Sequence, residues 1–487
     1  MHRFHIDSAL VVAALVALTL PTLTQASPIT FQRTYGGPDD DNCKWARQTY
    51  DGGYIMVGYS GSLAWLVKTD SNGDTIWTRS FGGSSFDYGH SVQQTADSGY
   101  IIAGLTSSLD TLGDAWLIKT DARGDTLWTR TYGGPLEDYL DEAALTTDGG
   151  YVAVGNTMSF GAGAHDVWLI KTDSRGDTSW TRTFGGANDD QGYTVQQTND
   201  GGYIIAGVTR SYGAGGDDVY LIKTDTAGDT QWTRTFGGPL CDWGLCARQT
   251  RDGGYIVGGL TTSYPDSSVY ICLIKTNASG DTLWTRKIGD VSGWAEGGSV
   301  EQLDDGGYIF AGGVARGSYD YDVYLARTDS NGDTAWTRTF GGSDLDMGLS
   351  VQGTSDGGFM IGGQTRSFGA GSSDFYLIKT DANGRLAVAE PKKSPPRRAV
   401  LSVACAPNPF SGSTKIRFSS QLSGSVPVSL RVYDVQGRLV RTIAASRISP
   451  TIWDGRDDAG RRLPSGTYLV RCATAGRHAT ARVVLQR

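Results

Sequence analysis

The sequence predicts an all-β chain: a seven-bladed β-propeller followed by a small β-sandwich. Three observations carry this. Trp77, Trp128, Trp180, Trp232, Trp284 and Trp336 recur at intervals of 51, 52, 52, 52 and 52 residues, each within Asp-Thr-x-Trp-Thr-Arg. A glycine followed by an aromatic recurs at Tyr54, Tyr100, Tyr151, Tyr203, Tyr255, Tyr308 and Phe359, which sets the number of units at seven. Glycine is very abundant, at 68 of 487 residues, which suits many short strands joined by tight turns.

Taken in order, Met1 to Ala26 reads as a secretory signal, with His2 and Arg3 in front of an apolar run from Ala9 to Leu20 and Thr24-Gln25-Ala26 at its end. That run is short for a bilayer span, and no later segment is apolar enough to cross one, so no transmembrane segment is expected after signal removal. Residues 27–390 hold the repeat. In the second unit the strand-like runs are Ser91 to Thr95, Tyr100 to Leu105, Ala115 to Thr120 and Thr126 to Tyr132. Four antiparallel strands per period, with no helical periodicity, describe a propeller blade. In the third strand Trp65, Trp116, Trp168, Tyr220, Tyr324 and Tyr376 share one slot, read as packing between blades.

Six tryptophans against seven aromatic markers is an informative mismatch. The seventh unit ends at Lys379-Thr380-Asp381-Ala382-Asn383-Gly384-Arg385 without its Trp-Thr-Arg strand, whereas Thr30-Phe31-Gln32-Arg33-Thr34-Tyr35 is an orphan copy of that strand. The start of the mature chain is therefore expected to complete the last blade and close the ring, removing two open sheet edges.

Charge divides the chain. Residues 27–390 carry 25 Lys and Arg against 46 Asp and Glu, a net −21, and residues 391–487 carry 17 against 4, a net +13. So acidic a body repels nucleic acid, and no nucleic-acid partner is expected. The histidines beyond the signal (His90, His165 and His478) show no metal-ligand spacing, and there is neither a nucleophile elbow nor a phosphate-binding Gly-Lys-Ser/Thr motif. Carboxylates are the remaining candidates. Asp41, Asp87, Asp138, Asp190, Asp242 and Asp346 precede the first strands, and Asp114, Asp166, Asp218, Asp322 and Asp374 precede the third, so both sets should ring one end of the channel. Such a ring suits calcium or a carbohydrate, or acid–base work on a glycoside; stapling of loop amides is the plainer reading of so regular a feature. No cofactor is expected otherwise. A binding site should break the symmetry, and the least regular units single out Glu137, Asp141, Glu142, Trp243, Trp294 and Glu296 as candidate ligand-binding residues, with no catalytic residue assigned. The expected partners are carbohydrate or a surface protein.

Six cysteines in an exported chain suggest disulfides. Cys241–Cys246 and Cys405–Cys472 are the expected pairs, Cys43 and Cys272 are left free, and Cys246–Cys272 competes. Pro391 to Arg398 is a linker by composition, and short alternating strands follow it through residues 399–487.

Two resemblances add to this. The hairpin before each tryptophan, as in Thr69-Asp70-Ser71-Asn72-Gly73-Asp74-Thr75-Ile76-Trp77, resembles the Asp-box of sialidase-type propellers and the tryptophan-docking motif of quinoprotein-like propellers. In both families the motif is structural, so the resemblance implies a fold and no activity. Ala406-Pro407-Asn408-Pro409-Phe410, Val432-Tyr433-Asp434-Val435-Gln436-Gly437-Arg438, Trp453-Asp454-Gly455-Arg456-Asp457-Asp458-Ala459-Gly460 and Pro464-Ser465-Gly466-Thr467-Tyr468 resemble the flagellar-hook-cap-like Ig domain and the C-terminal sorting domain of type IX secretion. That implies an Ig-like fold for residues 399–487, recognition by a secretion machinery, and release or attachment at an outer membrane or cell surface. An exported or cell-surface binding or scaffold protein is thus the expectation, with a secreted carbohydrate-active enzyme as its alternative.

Overall fold

A computed structural model describes residues 29–386 and 402–486, apart from 109–111, 264–268, 292–297, 316–319, 407, 420–428, 445–450 and 475–476. The expected signal, the linker, Trp294 and Glu296 lie outside the described residues. The chain divides into two compact units, Met1–Ala387 and Val388–Arg487.

The first unit is seven four-stranded antiparallel sheets, six of them built from consecutive strands. The seventh combines Asp346–Gly353, Phe359–Thr365 and Asp374–Thr380 with Phe31–Tyr35, which pairs Phe31 to Lys379 and Tyr35 to Phe375. The N-terminal strand thus closes the ring. The two sequence markers turn out to be halves of one contact. Each outer-strand tryptophan packs edge-on against the Gly-aromatic residue of the next blade, from Trp77 on Tyr100 to Trp336 on Phe359, with ring centroids 5.7–6.0 Å apart. Phe31 supplies the missing seventh ring, 5.8 Å from Tyr54. Glycine is required in the next hairpin because the ring reaches that backbone: Gly124 has φ +79°, and a Cβ there would meet the Trp77 ring at 2.7 Å.

Arginines two residues after each tryptophan stack on it and reach the following hairpin, as in Arg79–Asp125 at 3.0 Å and Arg182–Asp229 at 3.0 Å. Within blades, a buried lysine from the third strand meets the aspartate of the first hairpin, as in Lys119–Asp97 at 2.9 Å. The exposed arginine pairs add little individually.

The first strand of the second blade runs Asp87–Gln94, four residues longer at its start than alternation predicts. A bulge between Gly89 and Ser91 breaks the period of two, and it recurs at Cys43/Trp45, Leu140/Glu142, Gly192/Thr194, Gly244/Cys246 and Gly348/Ser350.

The second unit packs a sheet of Ser402–Ala406, Thr414–Ser419 and Thr451–Trp453 with one of Leu439–Ala444, Ser429–Asp434, Gly466–Thr474 and Arg477–Leu485. Phe410, Leu430, Trp453, Tyr468 and Leu485 are buried in its core. The motif aspartates build turns: Asp434 accepts from the Gln436 and Arg438 amides at 3.0 and 2.9 Å, and Asp457 from the Arg461 amide at 2.8 Å.

Neither expected disulfide is present; all six cysteines are free thiols. Cys246 lies inside the first strand of its blade, buried, with its Sγ 3.9 Å from the Val300 carbonyl of the next blade, while Cys241 stays just before that strand. Cys405 and Cys472 line one core from opposing sheets, unbonded.

Candidate functional site

The predicted acidic ring is built, but it does not face solvent. Asp41, Asp87, Asp138, Asp190, Asp242 and Asp346 are at most 3% exposed. Each accepts a hydrogen bond from the second amide of the preceding Gly-Gly pair (Gly37, Gly83, Gly134, Gly186, Gly238 and Gly342) at 2.7–2.8 Å. In five blades the serine of the Thr-x-Ser at the end of the second strand adds a bond, with Ser108, Ser159, Ser211, Ser263 and Ser367 donating at 2.6–2.7 Å. Thr106, Thr157, Thr209 and Thr365 donate to the other oxygen. These bonds staple the loops in place, while Asp41 Oδ1 is buried without a hydrogen-bond partner.

The asymmetry lies nearer the axis. Inner strands face one another around it, each passing backbone amides to side chains of the blade before: Ala143 N–H donates to Ser91 Oγ at 3.1 Å, Val195 N–H to Glu142 Oε2 at 3.0 Å and Ala247 N–H to Thr194 Oγ1 at 3.1 Å. Glu142 of the third blade also meets Arg248 of the fifth at 2.8 Å and Arg47 of the first at 3.8 Å. Non-adjacent blades can touch only across the axis, so this cluster marks the channel. Glu142 is therefore committed to an internal ion cluster.

The bulge residues form a second layer: Lys44, His90, Asp141, Tyr193, Leu245 and Leu349 occupy equivalent places and differ in kind. His90 and Asp141 keep 20% and 23% of their side-chain surface open although protein surrounds them, as the wall of a narrow channel would. His90 Nδ1 lies 2.8 Å from the Leu140 carbonyl, which can only accept, so Nδ1 carries the proton and Nε2 is left as an acceptor. Burial lowers His90 to about 4, with Lys44 acting in the same direction. Burial also pushes Asp141 up to about 8, against the pull of Lys44 and of the Asn156 amide, which donates to it at 2.9 Å. At neutral pH this pair is a neutral imidazole beside a protonated carboxyl.

Tyr59, Tyr88, His90, Tyr139 and His165 form a continuous arc with successive centroids 4.6, 6.5, 6.2 and 6.4 Å apart. Polar groups continue from its end: His165 meets Asp189 at 2.7 Å, Tyr193 donates to Gln191 at 2.6 Å, and Trp243 Nε1 donates to Asp217 at 3.0 Å, with Arg210 paired to Asp217. Of the residues singled out in the sequence, Asp141 and Trp243 join this site, Glu142 lies in the ion cluster and Glu137 is exposed on a loop. His90, Lys44, Arg47, Tyr139, His165 and Arg248 were missed. The signal for the bulge residues was a column of the repeat that holds Lys, His, Asp, Tyr and Leu in different units.

Residues 406–477 match the FlgD Ig-like domain family. A search of curated proteins finds no match. Among solved structures, the chain is similar to a fungal alcohol oxidase of the AA5 family in complex with copper, at 11% identity, covering 94% of this chain and 100% of that one with a TM-score of 0.45. It is also similar to an ancestral GH74 enzyme at 10% identity, covering 94% of this chain and 64% of that one, with a TM-score of 0.44. For a puromycin hydrolase the identity is 13%, the coverage 84% and 59%, and the TM-score 0.43.

Proposed function

We propose that this is an exported or cell-surface binding protein. In this reading the propeller takes a carbohydrate at the axial mouth over blades one to five, and the C-terminal domain serves export by the type IX route or attachment to the surface. The observation that carries this is the asymmetric bulge layer, His90, Asp141 and Lys44, beside an arc of tyrosine and histidine rings. Ring faces for stacking beside a few convergent hydrogen-bonding groups are what a neutral sugar requires. The protonated Asp141 supports a second reading, a carbohydrate-active enzyme with that residue as general acid. The adjacent carboxylate, Glu142, is held by two arginines and is not available as its partner, which favours binding over cleavage. The test is retention on a panel of immobilised polysaccharides, with and without calcium, followed by product analysis. Retention without products, weakened by Tyr139→Ala and Asp141→Asn, supports the binder, and release of sugars supports the enzyme. Retention untouched by either substitution would move the site elsewhere.

A further inference from the structure

Six blades fill the same third-strand slot with a large ring: Trp65, Trp116, Trp168, Tyr220, Tyr324 and Tyr376. Each sits opposite a second-strand glycine, as in Gly104–Trp116 and Gly207–Tyr220, and packs towards the preceding blade, as Trp116 does among Ile55, Val57 and Leu66. The fifth blade has Cys272 there, opposite Gly259 and among Val219, Leu221, Val257 and Ile274. The second and third strands of that blade keep the sister register at this pair, Gly259 opposite Cys272, while its third and fourth strands carry an added irregularity between Val269 and Ile271. A cavity of about 230 Å³ lies at this place, with Val219, Phe236, Gly238, Trp243, Ser263 and Cys272 among its walls. Gly237, also on its wall, is exposed, and Gly238 and Ser263 are half-buried, so the cavity reaches solvent at the loop face. Burial pushes the Cys272 thiol up to about 12, which keeps it neutral. Among the described residues of the wall the one carboxylate, Asp242, already accepts from Gly238 and Ser263.

We infer that this vacated slot between the fourth and fifth blades is a binding site for a small neutral aromatic molecule of phenol or indole size. The volume is sufficient, since an apolar cavity of roughly 150 Å³ holds benzene. Ile204, Ala206, Val219 and Leu221 stand where Ile55, Val57, Ala64 and Leu66 hold the Trp116 ring, so these described walls are shaped for a planar ring. An anion is disfavoured by Asp242 and by the apolar walls. The site shares Trp243 with the groups at the axial mouth but uses neither His90 nor Asp141.

The experiment titrates p-cresol and 3-methylindole, the side-chain analogues of the missing residues, into the full chain by calorimetry and by thermal shift. Two filled variants, Cys272→Tyr and Cys272→Phe, are carried alongside; the second lacks the hydroxyl and so needs no hydrogen-bond partner. Expected are saturable binding and a raised melt for the wild type, as a ligand selective for the folded state requires. At least one filled variant should melt above the wild type without ligand and bind at least tenfold more weakly. No binding to the wild type, undiminished binding to a folded filled variant, or a lowered melt in both filled variants would each overturn the inference.

Discussion

Glu142→Gln tests whether the axis of the propeller is held by an ion cluster. Glu142 is 5% exposed at its side chain, accepts from Val195 N–H at 3.0 Å, and meets Arg248 at 2.8 Å and Arg47 at 3.8 Å. The amide can still accept from Val195, but the charge that lets two guanidinium groups approach is gone. Removing one member of a buried ion cluster typically costs about 3–5 kcal/mol, and the retained hydrogen bond places this substitution near the lower end, at about 3 kcal/mol. Urea titration followed by tryptophan fluorescence measures it, since each blade junction but the one closed by Phe31 carries an indole. Adding Arg248→Met should restore part of the loss, because it removes one of the two facing cations; a coupling of about 2 kcal/mol is expected for residues in direct contact. A loss below about 1 kcal/mol, the range of an exposed pair, or strict additivity with Arg248→Met, would refute the reasoning.

Deleting Thr30 to Tyr35 strips the outer strand from the last blade, uncovers the pairing edge of Asp374–Thr380 and exposes Tyr54; calorimetry should show a clearly lower melt and size-exclusion chromatography an associated species, and an unchanged melt would sink ring closure by this strand. Asp141→Asn should alter the pH dependence of stability. The folded value of Asp141, about 8, lies above its ordinary 3.8, so the stability it contributes is lost as pH rises from about 4 to 8. His90, lowered from 6.5 to about 4, has the opposite slope between pH 4 and 6.5 and offsets Asp141 there, but it is common to the wild type and the variant, so their difference isolates Asp141. The stability difference in favour of the Asp141→Asn variant should therefore widen between pH 4 and 8 and level off above; a constant difference across that window counts against a buried, protonated Asp141.

Legibility in the sequence followed the distance over which contacts repeat. Trp77 meets Tyr100, and Asp87 meets Thr106 and Ser108, each within one blade or the next, so every copy of the repeat restates the contact and the spacing alone exposes it. Ring closure was legible for the same reason, because an orphan copy at one end matched a deficit at the other. Even the stapling role of the acidic ring was present as the Gly-Gly before each aspartate and the Thr-x-Ser after it. His90 and Asp141 were harder to read, because a bulge at that point ends the alternation by which the inner face of a strand is recognised.

What the sequence by itself determined is the blade, the number of blades and their order, since local hydrogen bonds and neighbouring-blade packing are enough to define them. Only the tertiary structure decided what meets at the axis. Arg47, Glu142 and Arg248 come from alternate blades and have no reason to approach until the ring closes, and closure alone brings each arginine within about 4 Å of the Glu142 carboxylate.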